Sequence, residues 1–426
     1  MRIVRILFRQ NKLLNFFTLL TATLLFFFLL VLVINIKQTE IEVGTTENFK
    51  NKQMYKLSDH LVDELETEFF SRASNYDKLN EFANALEKST DFQYFNAIWQ
   101  PIGVVNFKGD KIFSAYYENG SEVSIYKING KEYHSVKSIQ VDSDALSYNN
   151  IQLSQGRLFD DEEYVFIGNQ IPVILGAEYN GIYKIGDQID IEYYQQSFKG
   201  TVVGIIQPLQ KIITVNRPEI LLDRYIMIPA MYFNKSPSQL TNDASEYPIF
   251  FRASLLSRAN GTILSELDPV QIRKLVGEIA LQTGFSHYSI IGANSLKINT
   301  LVQMTETNRI TLLVLSFSLL ALAIGVLLLS LFIKTKRNVS TYKVFLINGA
   351  TLSYIYKMIS LQSLITYIFG SLLPLVIGIV LIGLSASILF MYLLLVAVFS
   401  IFMSIMSYVF VKRIFLKLDI VRELKG

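Results

Sequence analysis

Four stretches of this chain, Leu13–Ile36, Ile310–Ile333, Leu361–Leu384 and Ser387–Val411, run without a single charged side chain, each for about 20 residues or more. At about 1.5 Å of rise per residue, each is long enough as a helix to cross a hydrocarbon layer of about 30 Å, so the sequence predicts four transmembrane helices. The composition agrees, since 51% of the 426 residues are hydrophobic. The first run follows a basic segment, as a signal peptide does. It is longer than the usual apolar region of about 7–15 residues, and no small-residue cleavage site follows Ile36, so it is expected to remain as an anchor.

Charge placement gives the expected orientation. Residues 1–12, 334–360 and 412–426 together hold 14 Lys and Arg against two acidic residues, leaving 25 basic and 34 acidic residues in 37–309. The positive-inside rule then places both termini and the 334–360 loop in the cytoplasm, and the 273-residue block between the first two spans outside, with a net charge of −9. The expected layout is a cytoplasmic amphipathic segment (1–12), TM1 (13–36), an extracytoplasmic domain (37–309), TM2 (310–333), a cytoplasmic segment (334–360), TM3 (361–384), TM4 (387–411) and a cytoplasmic tail (412–426).

The outer block reads as a folded α+β domain, an α/β subdomain whose two halves flank a β-rich insert at about 151–240. Leu57–Leu86 looks helical, with starts at Ser58-Asp59 and near Asn75. Phe92–Phe107 and Lys111–Tyr117 look like strands, and Ile128-Asn129-Gly130-Lys131 like a hairpin turn. Strands follow at Tyr164–Ile167, Gln188–Tyr194, Gly200–Ile206 and Arg224–Ile228. A strand (Ile249–Ala253), a helix starting at Asp268-Pro269 and a strand (His287–Ile291) lead back to the second span.

Much chemistry is absent. No segment matches the phosphate-cradling Gly-x-x-x-x-Gly-Lys-Ser/Thr loop. With no Cys there are no disulfides, thiolate metal sites or Cys nucleophile, and a net charge of +3 gives no reason to invoke nucleic acid. His60, His134 and His287 stand apart from one another in sequence, and Asp160-Asp161-Glu162-Glu163 lacks the spacing of a calcium loop. An ionisable residue at a span's centre costs about 2.5–3.5 kcal/mol and usually serves an ion or proton path. The spans hold none, which argues against a secondary transporter, a proton-coupled pump or an intramembrane protease. No catalytic, cofactor or metal residues are assigned.

The segment 334–360 carries the most specific signal. Asn338–Ile347 can form a short helix with Val339, Tyr342, Phe345 and Leu346 as an apolar and aromatic stripe. Asn348-Gly349 supplies left-handed geometry to stop it, Ala350 follows, and Thr351 can cap a second helix leading into TM3. The stripe would face either a partner protein or lipid headgroups. In TM3, Gly370, Pro374 and Gly378 share a face that allows close approach of another helix. Ile3, Leu7 and Phe8 beside Arg2, Arg5 and Arg9 fit an amphipathic helix on the inner leaflet.

This layout resembles the FtsX/MacB-type ABC permeases. Arg337–Thr351 is similar to that family's coupling segment, ending in Asn348-Gly349-Ala350-Thr351. The tail Leu418-Asp419-Ile420-Val421-Arg422-Glu423-Leu424-Lys425 is similar to its closing motif. Gly156-Arg157-Leu158-Phe159, Ile185-Gly186-Asp187 and Phe198–Gly204 resemble its strand-rich middle portion. The sequence departs from the family at Thr341 and Lys343 in the coupling segment and at Ile420 in the tail.

The resemblance implies a homodimeric, non-catalytic membrane subunit bound to two copies of an ABC-type ATP-binding subunit that holds the ATP and Mg. Movement would pass from the coupling segment to the outer domain. The expected role is export of peptides or other amphipathic compounds from the bacterial cytoplasmic membrane, with a periplasmic or extracellular accessory protein as a further partner. The alternatives are an FtsX-like regulator of a cell-wall hydrolase and a membrane-anchored sensor without an ATPase.

Overall fold

The computed structural model describes residues 2–120, 124–128, 130–215, 219–233, 248–292, 295–382 and 386–417. The chain divides into two compact units: Met1–Glu40 with Glu306–Gly426, and Ile41–Thr305. It combines four long apolar helices with a large α+β domain.

The helices are Lys12–Glu47, Ser295–Arg337, Leu352–Ile377 and Ala386–Lys417. Their stretches Lys12–Lys37, Ile310–Arg337, Leu352–Val380 and Ile388–Leu416 are long and apolar enough to cross a membrane. Ala22, Phe26, Leu327, Tyr367, Tyr392 and Met403 form a common buried core. The second span is thinly covered by the rest of the chain, with Phe317 and Leu322 69% and 67% exposed, as befits side chains facing lipid. Pro374 lies inside the third helix, which passes into a π-helical turn at Gly378–Ile382.

Among the described residues, the Ile41–Thr305 unit is built on two large sheets, with a small antiparallel ribbon of Lys211–Ile212 and Ile220–Leu221 beside them. A four-stranded sheet runs in the order Tyr288–Gly292, Gln53–Asp59, Thr262–Ser265, Gln93–Phe95, all antiparallel. Its strands come from both ends of the unit. Apolar faces of Ala73–Glu87, Pro248–Ala259 and Pro269–Thr283 close over it through Leu79, Phe82, Leu255, Ile272 and Val276. The second sheet has ten strands and occupies the middle of the unit. It is mixed: Ile226–Pro229 runs parallel to Ser138–Val141, and Gln170–Leu175 parallel to Gln196–Ile206, while the other pairings are antiparallel.

The structure corrects several sequence expectations here. The middle sheet begins at Ala97 and its last strand ends at Pro229, so the β-rich part is wider than 151–240 on its N-terminal side. Leu57–Asp59 belongs to a strand, and helices occupy Glu64–Phe70 and Ala73–Glu87. Lys111–Tyr117 contains 3-10 turns instead of a strand, and Tyr164 ends another. Ile249–Ala253 lies inside the helix Pro248–Ala259, whose inward face presents Phe250, Ser254 and Arg258 at helical spacing. Ile128 and Lys131 pair as the hairpin requires, whereas Asn129 lies outside the described residues.

The three middle-portion motifs meet in space. Gly156 pairs with Gly204, while Gly186 N–H donates to Val202 O at 2.8 Å and Val202 N–H to Asp187 O at 2.9 Å. Gly156 has φ +78°, and a Cβ there would lie 2.1 Å from Val203 O, so only glycine fits. These residues serve the packing of the sheet.

Chain passage between the sheets is abrupt. Gln93–Phe95 and Ala97–Trp99 belong to different sheets and only Asn96 separates them. Buried Asn96 donates its backbone N–H to Asp142 Oδ2 at 2.6 Å and its amide to Arg258 O at 2.8 Å. Arg258 is 1% exposed and donates to Glu87 Oε2 (2.7 Å), Asn80 Oδ1 (2.8 Å) and Asn84 Oδ1 (2.6 Å), with its guanidinium over the Tyr232 ring. A guanidinium this buried persists only because its donors are satisfied.

Candidate functional site

The candidate site is the helical elbow between the second and third spans. Val339–Ile347 forms a helix that stops where Gly349 turns to φ +86°; Gly349 N–H donates to Leu346 O and Ala350 N–H to Phe345 O, both at 3.0 Å. Thr351 then caps Leu352–Ile377, its hydroxyl accepting from Tyr354 N–H at 3.2 Å. Asn348, Gly349 and Thr351 lie exposed at the bend, with Ala350 half-buried.

The stripe does not face outward, which corrects the sequence expectation. Tyr342 is 1% exposed and packs with Leu7, Leu331, Ile355, Tyr356, Val411 and Phe415, with Phe345, Leu346 and Ala350 against this cluster and Val339 half-buried. Tyr342 and Phe415 rings stand 5.4 Å apart, and Phe415 also meets Tyr356 at 5.1 Å. Burial pushes the Tyr342 hydroxyl up to about 12. The outward face is instead Val344 (54% exposed), Ile347 (75%) and Tyr354 (42%), beside exposed Lys336, Arg337 and Lys357. Sequence reasoning missed these three residues because Val339–Ile347 is apolar around most of its circumference, and periodicity cannot choose between its faces.

The N-terminal segment contributes to the elbow. Arg2–Arg9 is a helix whose Val4 and Leu7 are buried within this chain, while Phe8 is half-buried and Ile6 is exposed. After this helix the chain turns at Asn11, with φ +49°, and Asn15 donates its amide to the carbonyls of Phe8 (3.0 Å) and Gln10 (2.8 Å). Gln10 Nε2 donates to Thr341 Oγ1 at 2.8 Å, and Asn11 Nδ2 to Asn338 Oδ1 at 2.6 Å. Thr18 and Ser330 hydroxyls lie 2.7 Å apart between the first and second spans. The elbow is thus tied to the first span by amides and to the fourth by rings.

Gly370, Pro374 and Gly378 are buried within the chain, away from the elbow. A Cβ on Gly370 would stand 3.0 Å from Ala22 Cβ, so this face lies directly on the first span. The tail motif Leu418–Lys425 lies outside the described residues. Among the described residues no cluster of His, Asp and Glu has the grouping of a metal site. What the elbow presents is an apolar knob of Val344, Ile347 and Tyr354 on a basic rim of Lys336, Arg337 and Lys357.

No family model matches the sequence, and no curated protein does so either. Among solved structures, the chain is similar to the periplasmic region of MacB from Actinobacillus actinomycetemcomitans, at 10% identity and a TM-score of 0.30 over 61% of this chain and 97% of that one. It is also similar to the extracellular domain of the noncanonic ABC-type transporter YknZ from Gram-positive bacteria, at 10% identity and a TM-score of 0.28 over 56% of this chain and 99% of that one.

Proposed function

We propose that this chain is the permease subunit of an ABC-type system, a lever that carries force from a separate ATPase to its own outer domain. The observation that carries the reading is the elbow: a helix clamped on its inner face by Tyr342 and Phe415 and open on its outer face at Val344 and Ile347. A partner seated on that knob moves the first, third and fourth spans together, because each is fastened to it by buried contacts. The chain has no nucleotide-binding loop of its own, so ATP and Mg reside in the partner, two copies of which serve a permease homodimer. The chain itself is non-catalytic and acts by mechanotransmission.

The setting is the bacterial cytoplasmic membrane, with both termini inside and residues 37–309 outside. The output is export of peptides or other amphipathic compounds, with an accessory protein meeting the outer domain.

Affinity purification of the tagged chain in mild detergent, with mass spectrometry and an ATPase assay, tests this. A roughly equimolar ATP-binding subunit that is lost on Ile347→Ser supports the reading. Recovery of the chain alone in several detergents overturns it in favour of a receptor-like membrane protein, and a cell-separation defect on depletion in place of an export defect turns the output toward hydrolase control.

A further inference from the structure

Within the Ile41–Thr305 unit, the two large sheets and the helices Glu64–Phe70 and Pro248–Ala259 line an open cavity of about 380 Å³, a size in the range of small-ligand sites, about 300–1,000 Å³. The geometry points to a binding site for a cationic group on an apolar stem, such as a lysyl side chain of a peptide.

The floor of the cavity is preorganised. Asp59 N–H donates to Asn260 Oδ1 at 2.6 Å, Asn260 Nδ2 donates back to the Asp59 carboxylate, and Leu61 N–H donates to Asp59 Oδ1 at 2.7 Å. The carboxylate is thereby fixed where it lines the cavity. A second carboxylate, Glu66, also lines it; it is half-buried and has no hydrogen-bond or ion-pair partner among the described residues. Among the described lining residues Arg252 supplies the one guanidinium, and it lies over the Phe70 ring at 5.9 Å. Two carboxylates against one guanidinium favour a cation.

The walls are apolar and include a strained aromatic. Ile98 and Leu256 supply aliphatic surface. Tyr194 lines the cavity from a two-residue turn in which both Tyr194 and Gln195 have positive φ, +50° and +64°. Such turns ordinarily take Asn or Gly, and a bulky residue in this region is a conformational outlier. The turn is held by Gln195 N–H donating to Glu192, and the Tyr194 ring by Tyr193 at 4.3 Å. An aromatic face beside carboxylates suits an ammonium or guanidinium head. The net charge of −9 over residues 37–309 raises the local concentration of cations around it.

This inference is independent of the ATPase reading, because binding is measured on the permease chain without a partner. The full chain in phosphatidylcholine nanodiscs is titrated by calorimetry with acetyl-Leu-Lys-amide and with the same dipeptide acetylated at the lysine amine. The expected result is saturable one-site binding of the lysyl peptide, weakened at least about tenfold by lysine acetylation and about tenfold by Glu66→Gln, with the melting temperature of that variant unchanged. Tyr194→Leu weakens binding as well. Absence of saturable binding, equal binding of the two peptides, or an unaltered affinity in Glu66→Gln overturns the assignment.

Discussion

Tyr342 and Phe415 hold the elbow against the end of the fourth span, their ring centroids 5.4 Å apart and both side chains under 5% exposed. Tyr342→Ala removes this contact and leaves a cavity among Leu7, Ile355 and Val411. By analogy with other buried aromatic truncations the loss is about 3–5 kcal/mol. The thermal transition of the detergent-solubilised protein falls accordingly, and Tyr342→Phe retains most of the stability.

Ile347 is 75% exposed on the other face of the same short helix. Ile347→Ser therefore changes folding stability by less than about 0.5 kcal/mol, while on the function proposed above it abolishes binding of the ATPase partner. Comparing melting temperature with recovery of the ATPase partner separates the two faces: Tyr342→Ala moves the first, Ile347→Ser the second.

Gly370 lies on Ala22, where even a Cβ would stand only 3.0 Å from the Ala22 Cβ. Gly370→Val forces the first and third spans apart and costs about 1–3 kcal/mol as overpacking. Unfolding in mixed micelles checks it, and Gly325→Val, where a Cβ meets nothing within 4 Å, is the matched control with little effect.

Arg258 and Glu87 form a buried pair with an Nη2–Oε2 distance of 2.7 Å. Arg258→Met strands the Glu87 carboxylate and empties the hydrogen bonds to Asn80 and Asn84, a loss of about 3–5 kcal/mol. The double change Arg258→Met with Glu87→Met recovers much of it, because the desolvation of both charges disappears together. Chemical denaturation of the four proteins of this double-mutant cycle gives the coupling.

Asp142 accepts hydrogen bonds from Asn96 and Ala145 N–H, yet burial outweighs them and pushes its carboxyl well above the usual range. A raised folded pKa means that the folded state binds the proton more tightly than the unfolded state. This contribution to stability is full below the unfolded carboxyl's value near 3.8 and is lost as pH rises through the folded one. Glu87 shifts in the same direction. These two carboxyls therefore contribute stability that grows on acidification from neutrality, against the lowered Glu118 and Glu163, and Asp142→Asn removes Asp142's share of that slope in thermal scans across pH.

The elbow was legible in the sequence wherever local chemistry decides. The Asn348-Gly349 stop and the Thr351 cap involve groups within five residues of each other, and Asp268 with Gln271 forms a capping box on the same local terms. The four spans follow from composition alone. Distant pairing was not legible. Leu57–Asp59 is a strand because Gln53–Asp59 pairs with residues more than 200 positions away, at Thr262–Ser265 and Tyr288–Gly292. Ile249–Ala253 is rich in strand-preferring side chains, but Phe250 and Arg258 find their partners only from a helix. The direction of Tyr342 depended on Phe415 and Leu7, which lie at opposite ends of the chain. The cavity at Glu66 and Tyr194 was hidden for the same reason, since its lining comes from five separated segments.

The single residue between Phe95 and Ala97 also sets where the chain tolerates a change of length. Side chains alternate faces along a strand, so one extra residue at Asn96 turns Ile98 and Trp99 to the wrong sides of the second sheet and unseats Asn96 from Asp142. The turns at Gly120 and Gly181, where a Cβ meets nothing within 4 Å, have no such constraint. Epitope tags and fluorophore handles for following the outer domain in a membrane therefore belong at those turns, and the short passage between the sheets must keep its length to the residue.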